Sequence, residues 1–244
     1  DFGDGTTSTE ISPKHKYITS GKYTVKLTAT KGKKTHTMEK ELIFEAPHDC
    51  LIEMETTLGS ITIKLHDSTP QHRDNFIKLA ETEYYDNMLF HRVINGFMIQ
   101  GGDPDSKNAK KGQRLGVGGP GYTVPAEFVD GLIHIKGALS AARQGDAVNP
   151  EKRSSGSQFY LVQGKPLSAA QLDQMEWQKG YKYTAEQREI LTTQGGTPFL
   201  DKDYTVFGQI VKGLDIIDKI AAVQTDGADR PLEDVKILKV RVIK

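Results

Sequence analysis

Strict alternation of apolar and polar residues recurs along the chain and predicts strands. In KYTVKLTAT, Tyr23, Val25, Leu27 and Ala29 alternate with Lys22, Thr24, Lys26 and Thr28, as in a strand with one wet face. After the loop KGKK, the run THTMEKELIF sets Met38, Leu42 and Phe44 on one face, which Lys40 interrupts. LIEMET and SITIKL predict two further strands around a turn at Leu58 and Gly59. The period then changes. Thr69 and Pro70 predict the start of a helix over QHRDNFIKLAET, because Thr caps and Pro fits the first helical position. Phe76, Leu79 and Ala80 give that helix its apolar stripe. A second helix is expected over LDIIDKIAAV, residues 214–223, with Ile217, Ile220 and Ala221 inward. The remainder is short strands and Gly-rich loops closing on VKILKVRVI, so the fold class is mainly β: an antiparallel barrel capped by two helices.

One segment breaks the pattern. Between GKPL and GTPFLD lie about 30 polar residues with two capping boxes, Ser168 with Gln171 and Thr184 with Gln187. They predict a helical insertion at about 167–197. Trp177, the single tryptophan, is expected to anchor it by packing.

Charge and cysteine content narrow the function classes. With 32 basic and 32 acidic residues there is no net charge to steer the chain toward nucleic acid, and no nucleic-acid partner is expected. Cys50, the single cysteine, has no intramolecular disulfide partner and reads as an inert thiol near a domain boundary. No apolar run approaches the roughly 18 residues of a membrane span, and no signal peptide is visible. The chain opens without Met on DFGDG, a turn-like cluster with no strand before it, so residues upstream of Asp1 are expected.

The richest stretch for chemistry is FHRVINGFMIQGGDP, residues 90–104. Asn95 and Gly96 signal a hairpin. A two-residue loop would pair Arg92 with Ile99. A three-residue loop including Phe97 would pair Arg92 with Gln100 and set Met98 beside Ile94, bringing a guanidinium, an amide and a thioether onto one surface. Local sequence leaves both registers open; the second is expected on functional grounds.

Two resemblances follow from the motifs. DFGDG with SPKHKYITSGKYTVKLTAT resembles the second half of a PKD domain, an immunoglobulin-like sandwich common on exported proteins. It covers about 45 residues where such a sandwich needs roughly 100, so its first strands are expected to be missing. The segment FHRVINGFMIQGGDP, with KGALSAAR at 136–143, SSGSQFYLV at 154–162 and TPFLDKDYTVFG at 197–208, resembles the cyclophilins, barrel-shaped peptidyl-prolyl isomerases. Together these imply residues 1–46 as a partial PKD-like β segment, 47–50 as a linker and 51–244 as a closed, eight-stranded cyclophilin-like barrel carrying the insertion.

The second resemblance implies an isomerase that needs no cofactor or metal and acts on proline-containing peptides and on unfolded or folding proteins. Rotation about a peptide bond costs about 18–20 kcal/mol because the nitrogen lone pair is delocalised into the carbonyl. No bond need break. An enzyme holds the ring and favours the twisted geometry in which the nitrogen can accept a hydrogen bond. An arginine suits that task, with its fixed charge and rigid fork of donors. By the resemblance, Arg92, Gln100 and Phe97 are catalytic, while Met98, Ala142, Arg143, Gln158, Tyr160, Phe199, Leu200 and Tyr204 bind substrate, with the backbone of Ala142 and Arg143 along the extended peptide.

Five positions depart from the commonest family pattern: Asn95 stands for proline, Arg143 for asparagine, Tyr160 for phenylalanine, Phe199 for tryptophan and Tyr204 for histidine. Loss of the indole N–H implies weak cyclosporin binding, and the Tyr160 hydroxyl must find a partner.

Other signals yield less. GVGGPGY, residues 116–122, is expected to be a loop rather than a phosphate cradle, since no helix pattern follows. His91, Asp103 and Ser157 lack nucleophile-elbow spacing, and His91 is expected to be structural. Two rivals remain at this point: a catalytically weak proline-binding or chaperone module on the same fold, and an adhesion protein dominated by its N-terminal portion. The PKD-like portion implies the periplasm or cell envelope of a bacterium, with the cytoplasm as the alternative.

Overall fold

Two strands, β1 (Gly21–Lys31) and β2 (Lys34–Phe44), pair antiparallel so that Tyr23 faces Leu42, Val25 faces Lys40 and Leu27 faces Met38. Tyr17 stacks at this hairpin's open end, its ring 4.4 Å from Tyr23 and 4.8 Å from Phe44. Asp1 and Lys26 exchange backbone hydrogen bonds, and Asp4 accepts from the Thr6 amide and hydroxyl, so DFGDG is the turn its composition implies. This computed structural model describes residues 1–17 and 20–244 and divides into two units, Asp1–His48 and Asp49–Lys244.

The second unit holds β3 (Leu51–Thr56), β4 (Gly59–Leu65), β5 (Met88–Leu89), β6 (Arg92–Ile94), β7 (Met98–Gly101), β8 (Thr123–Val124), β9 (Ala138–Ala141), β10 (Ser154–Ser155), β11 (Phe159–Val162), β12 (Val206–Lys212) and β13 (Lys236–Val242). All but β8 and β10, which pair with each other, form a nine-stranded sheet in the order β5-β13-β3-β4-β12-β9-β11-β7-β6. The two ends of that order are neighbours in the chain. Only Phe90 and His91 separate β5 from β6, so residues 88–94 act as one interrupted strand that pairs with β13 at one end and β7 at the other. Counted this way the sheet is a closed antiparallel barrel of eight strands.

Alternation along each strand fills the barrel. Ile52, Met54, Ile61, Ile63, Leu65, Ile99, Phe159, Leu161 and Ile237 are buried in one cluster with Phe76, Leu79 and Ala80 of helix α1 (Pro70–Glu81). Helix α1 begins at Pro70 as expected, but Thr69 does not cap it with its side chain. The Thr69 hydroxyl donates to the His66 carbonyl, and the cap comes from far away in sequence: the Glu127 carboxylate accepts from the amides of Gln71 and His72, at 3.1 and 3.0 Å.

The insertion forms two helices, α2 (Ala169–Lys179) and α3 (Ala185–Thr193), and both capping boxes are present. Leu172, Tyr183 and Leu191 make a small core with Ile133, Ile135, Leu167 and Tyr181. Trp177 does not anchor it: the residue is 84% exposed. The more buried face of α2 runs through Leu172, Met175, Glu176 and Lys179, and Trp177 lies about 140° around the helix from Leu172. The last helix, α4 (Leu214–Ala221), buries Ile217, Ile220 and Ala221 as its pattern predicts.

Candidate active site

The parity of three strands decides which residues share the barrel's outer face. Val93, Ile99, Phe159 and Leu161 point into the main core. Their neighbours Ile94, Met98, Tyr160 and Val162 therefore point outward, where they join Phe97, Leu132, Ala138, Ala142, Leu200, Tyr204 and Val206 in a second apolar cluster. Arg92 and Gln100 share that parity.

Hydrogen-bonding register then lines these residues up. Arg92 is opposite Gln100, Gln100 is opposite Tyr160, and Tyr160 is opposite Ser140, so one row crosses β6, β7, β11 and β9. Ile94 faces Met98, which faces Val162, in the next row. The hairpin loop is thus Asn95, Gly96 and Phe97, the three-residue register. Phe97 closes it by donating its amide to the Ile94 carbonyl at 3.0 Å. Gly96 adopts φ +80°, a conformation that favours glycine, while a Cβ there would meet only the movable end of the Lys165 side chain. Its amide donates to Gln163 Oε1 at 2.6 Å, while the amides of Gln163 and Gly164 both donate to the Phe97 carbonyl, fixing the loop that carries the Phe97 ring.

Arg92 is exposed and meets Asp229, its Nε lying 3.5 Å from Oδ2. The Val93 amide donates to the Asp229 carbonyl at 2.8 Å, which holds that carboxylate beside the strand. Gln100 Nε2 donates to Gln158 Oε1 at 3.1 Å, and Gln158 Nε2 donates to the Gly118 carbonyl at 2.8 Å. The two amides thereby link the β7 row to the GVGGPGY loop, which has no helix of its own.

The apolar side of the site follows. Met98 and Tyr160 are buried, and Phe199 is 49% exposed with its ring 5.6 Å from Phe97. Leu200 and Tyr204 complete the cluster. The extra hydroxyl of Tyr160 has a partner, His134 Nε2 at 2.9 Å, and burial pushes its phenol well above the ordinary range.

Ala142 and Arg143 sit at this rim with their groups partly committed. The Ala142 amide donates to the Gln158 carbonyl, and its carbonyl accepts from Ser155. The Arg143 side chain turns away into the protein: Nε donates to the Asp203 carbonyl at 2.6 Å, Nη1 to Asp146 Oδ1 at 2.6 Å, and the guanidinium lies 4.5 Å above the Tyr204 ring.

His91, Asp103 and Ser157 do not form a triad. Asp103 accepts from the amides of Asp105, Gly116 and Gly118, and the Ser157 hydroxyl donates to the Gly102 carbonyl. The His91 ring is buried with neither nitrogen hydrogen-bonded, and that burial pushes its pKa down to about 4. Among the described residues, no group of three or more His, Cys, Asp or Glu side chains is arranged to hold a metal, and no helix is long and apolar enough to cross a membrane.

Sequence reasoning missed four residues that position the site: Gln163, Asp229, His134 and Asp201. Each meets its partner only in three dimensions: Gln163 reaches Gly96 and His134 reaches Asp201 across 67 residues, and Asp229 lies far along the chain from Arg92.

Known proteins match this architecture. The family model described as cyclophilin type peptidyl-prolyl cis-trans isomerase/CLD matches residues 51–242, and a PKD domain model matches residues 1–44. The chain is 36% identical over 202 residues to an inferred peptidyl-prolyl cis-trans isomerase of Staphylococcus saprophyticus, covering 78% of this chain and 90% of that protein. It is 37% identical over 199 residues to an inferred bifunctional phosphatase/peptidyl-prolyl cis-trans isomerase of Streptococcus pyogenes, covering 78% of this chain and 38% of that protein. A crystal structure of a cyclophilin type isomerase of Cryptosporidium parvum shares the fold at TM-score 0.57 and 23% identity, over 80% of this chain and 98% of that one. A second structure of that isomerase, in the presence of the dipeptide Ala-Pro, gives TM-score 0.56 at 22% identity, over 80% of this chain and 99% of that one. Barrel, motif order and matched length together place this chain in the cyclophilin-type peptidyl-prolyl cis-trans isomerase family.

Proposed function

We infer that the outer-face row Arg92–Gln100–Tyr160, beside the cluster of Phe97, Met98, Leu200 and Tyr204, is the isomerase centre. One observation carries this: register and parity put a cationic donor and an apolar cluster on the same face, two strands apart at about 4.8 Å per strand. The proline ring packs on that cluster, against Met98 and Tyr160 with Phe97 and Phe199 at its edge. Arg92 reaches over it and donates to the prolyl nitrogen or the adjacent carbonyl as the amide twists and resonance is lost. Gln100, held by Gln158, orients the guanidinium or the peptide carbonyl.

These donors are already in place before the bond rotates, so their stabilisation is greatest where the nitrogen has regained its lone pair. Lowering a barrier of about 18–20 kcal/mol by about 7 kcal/mol corresponds to roughly a 10⁵-fold acceleration. Because the Ala142 amide and carbonyl are engaged, pairing with the substrate backbone falls chiefly to Arg143. The substrates are proline-containing segments of unfolded or folding proteins, and cyclosporin binds weakly because Phe199 offers no indole N–H.

The PKD match supports a place in the periplasm or cell envelope of a bacterium; recovery of the protein only with cytosol in fractionated cells would favour the cytoplasm. A protease-coupled assay on a proline tetrapeptide, comparing the parent with Arg92→Ala, tests the catalytic assignment. Near-background rates for both forms would leave a proline-binding module in its place.

A further inference from the structure

The helical insertion has no assigned role, yet it ends in contact with the proline pocket. The geometry points to Tyr183 as a positioning residue that fixes the pocket wall Tyr160 through a buried chain, Tyr183–Asp201–His134–Tyr160. The inference rests on the reading of Tyr160 and Leu200 as the proline site.

Each link is short and buried. The Tyr183 hydroxyl, between α2 and α3, donates to Asp201 Oδ2 at 2.7 Å, and Tyr181 adds a longer contact at 3.3 Å. The other oxygen of Asp201 accepts from His134 twice, from the backbone amide at 2.8 Å and from Nδ1 at 2.6 Å. The His134 ring lies nearly parallel to that of Tyr160, at 6.0 Å and 10°, with Nε2 2.9 Å from its hydroxyl. His134 is 0% exposed and Asp201 1%.

The direction of the protons follows from the donor inventory. A carboxylate only accepts, so His134 Nδ1 carries a hydrogen, and an imidazole protonated there offers Nε2 as an acceptor. With the imidazole in that neutral tautomer, the Tyr160 hydroxyl donates to Nε2, inward and away from the pocket, and its ring presents an apolar face to the substrate. Asp201 also begins the chain segment directly after Phe199 and Leu200. The same carboxylate thus anchors both the pocket wall on β11 and the loop opposite it.

The insertion completes the environment of that carboxylate from its far side. Lys179 at the end of α2 donates to the Asp201 carbonyl at 2.9 Å and to Asp203 at 2.5 Å. After α3 the chain returns so closely that a Cβ on Gly196 would lie 2.3 Å from the His134 carbonyl oxygen, and the Thr197 amide donates to that same oxygen. Removing the Tyr183 hydroxyl leaves a buried carboxylate oxygen short of a donor. Asp201 then shifts, His134 loses its fixed tautomer, and Tyr160 loses its fixed orientation.

The test is a double-mutant cycle of Tyr183→Phe and Tyr160→Phe, with KM and kcat measured on an Ala-Ala-Pro-Phe peptide and the folded fraction checked by circular dichroism at the assay temperature. Tyr183→Phe is expected to raise KM about fivefold with kcat within about twofold, while the same change in the Tyr160→Phe background moves KM by less than about twofold. A purely structural role for Tyr183 would lower stability without moving KM in fully folded enzyme, and that result overturns the inference; so does an equal KM change in both backgrounds. If the parent itself fails to turn over, the isomerase assignment falls. The cycle is then read in the Kd of the same peptide, where coupling sustains the positioning role and additivity removes it.

Discussion

Arg92 and Asp229 meet through a single edge: Nε lies 3.5 Å from Oδ2, with the side chains 45% and 44% exposed. Among the described residues neither Nη group of Arg92 has a hydrogen-bond partner, so the donors of the fork remain available. A half-exposed ion pair of this kind contributes at most about 1 kcal/mol to stability. Its consequence is orientation.

Arg92→Ala is expected to lower kcat/KM by at least about 30-fold, equivalent to about 2 kcal/mol of transition-state stabilisation, with the fold intact. Arg92→Lys should recover little, because an ammonium is a point donor without the planar fork. Asp229→Asn should stay within a few-fold of the parent. Progress curves in the protease-coupled assay check all three, and an Arg92→Ala enzyme within twofold of the parent contradicts the assignment.

His91 sets the stability of the barrel in mild acid. Burial holds its pKa down to about 4 in the folded protein, whereas the unfolded chain takes up the proton near 6.5. Stability from this group is therefore full above about pH 6.5 and is lost as pH falls toward 4, amounting to about 2 kcal/mol between pH 7 and pH 5. Urea titrations at those two values should show the loss in the parent, and His91→Leu should remove that share of it.

Glu127 acts in a lower window. Burial opposes its ionisation, but hydrogen bonds from the His72 side chain and from the His72 and Gln71 amides outweigh it and hold the carboxyl below its usual range. Its contribution is present above the ordinary carboxylate pKa and disappears as pH drops through the folded value. Glu127→Ala should cost about 1–3 kcal/mol at pH 7, since it uncaps α1 and leaves His72 Nδ1 without its partner. The difference from the parent should narrow below pH 4, where thermal melts can follow it.

Trp177 offers a simple check on the insertion. As the single tryptophan and a largely exposed one, it should fluoresce like a solvated indole and be readily quenched by acrylamide. Trp177→Ser should change stability by no more than about 0.5 kcal/mol. Strong protection from quencher would place the ring in an interior that the structure does not give it.

The amino-acid sequence by itself determined the elements whose cause is local. Period-two runs marked the long strands, Pro70 opened α1, and Ser168–Gln171 and Thr184–Gln187 capped the insertion's helices, because each signal lies within a few residues of what it controls. Motif order also named the family, and with it the candidate roles of Arg92, Gln100 and the apolar cluster beside them. Tertiary structure decided the rest. The Glu127 cap reaches back 55 residues, Trp177 faces water, and the Asp201–His134–Tyr160 chain joins three separate elements. Buried polar groups are satisfied by whatever donor or acceptor the fold delivers, and a linear pattern does not encode that delivery; only closure of the barrel brings the partners within hydrogen-bond distance.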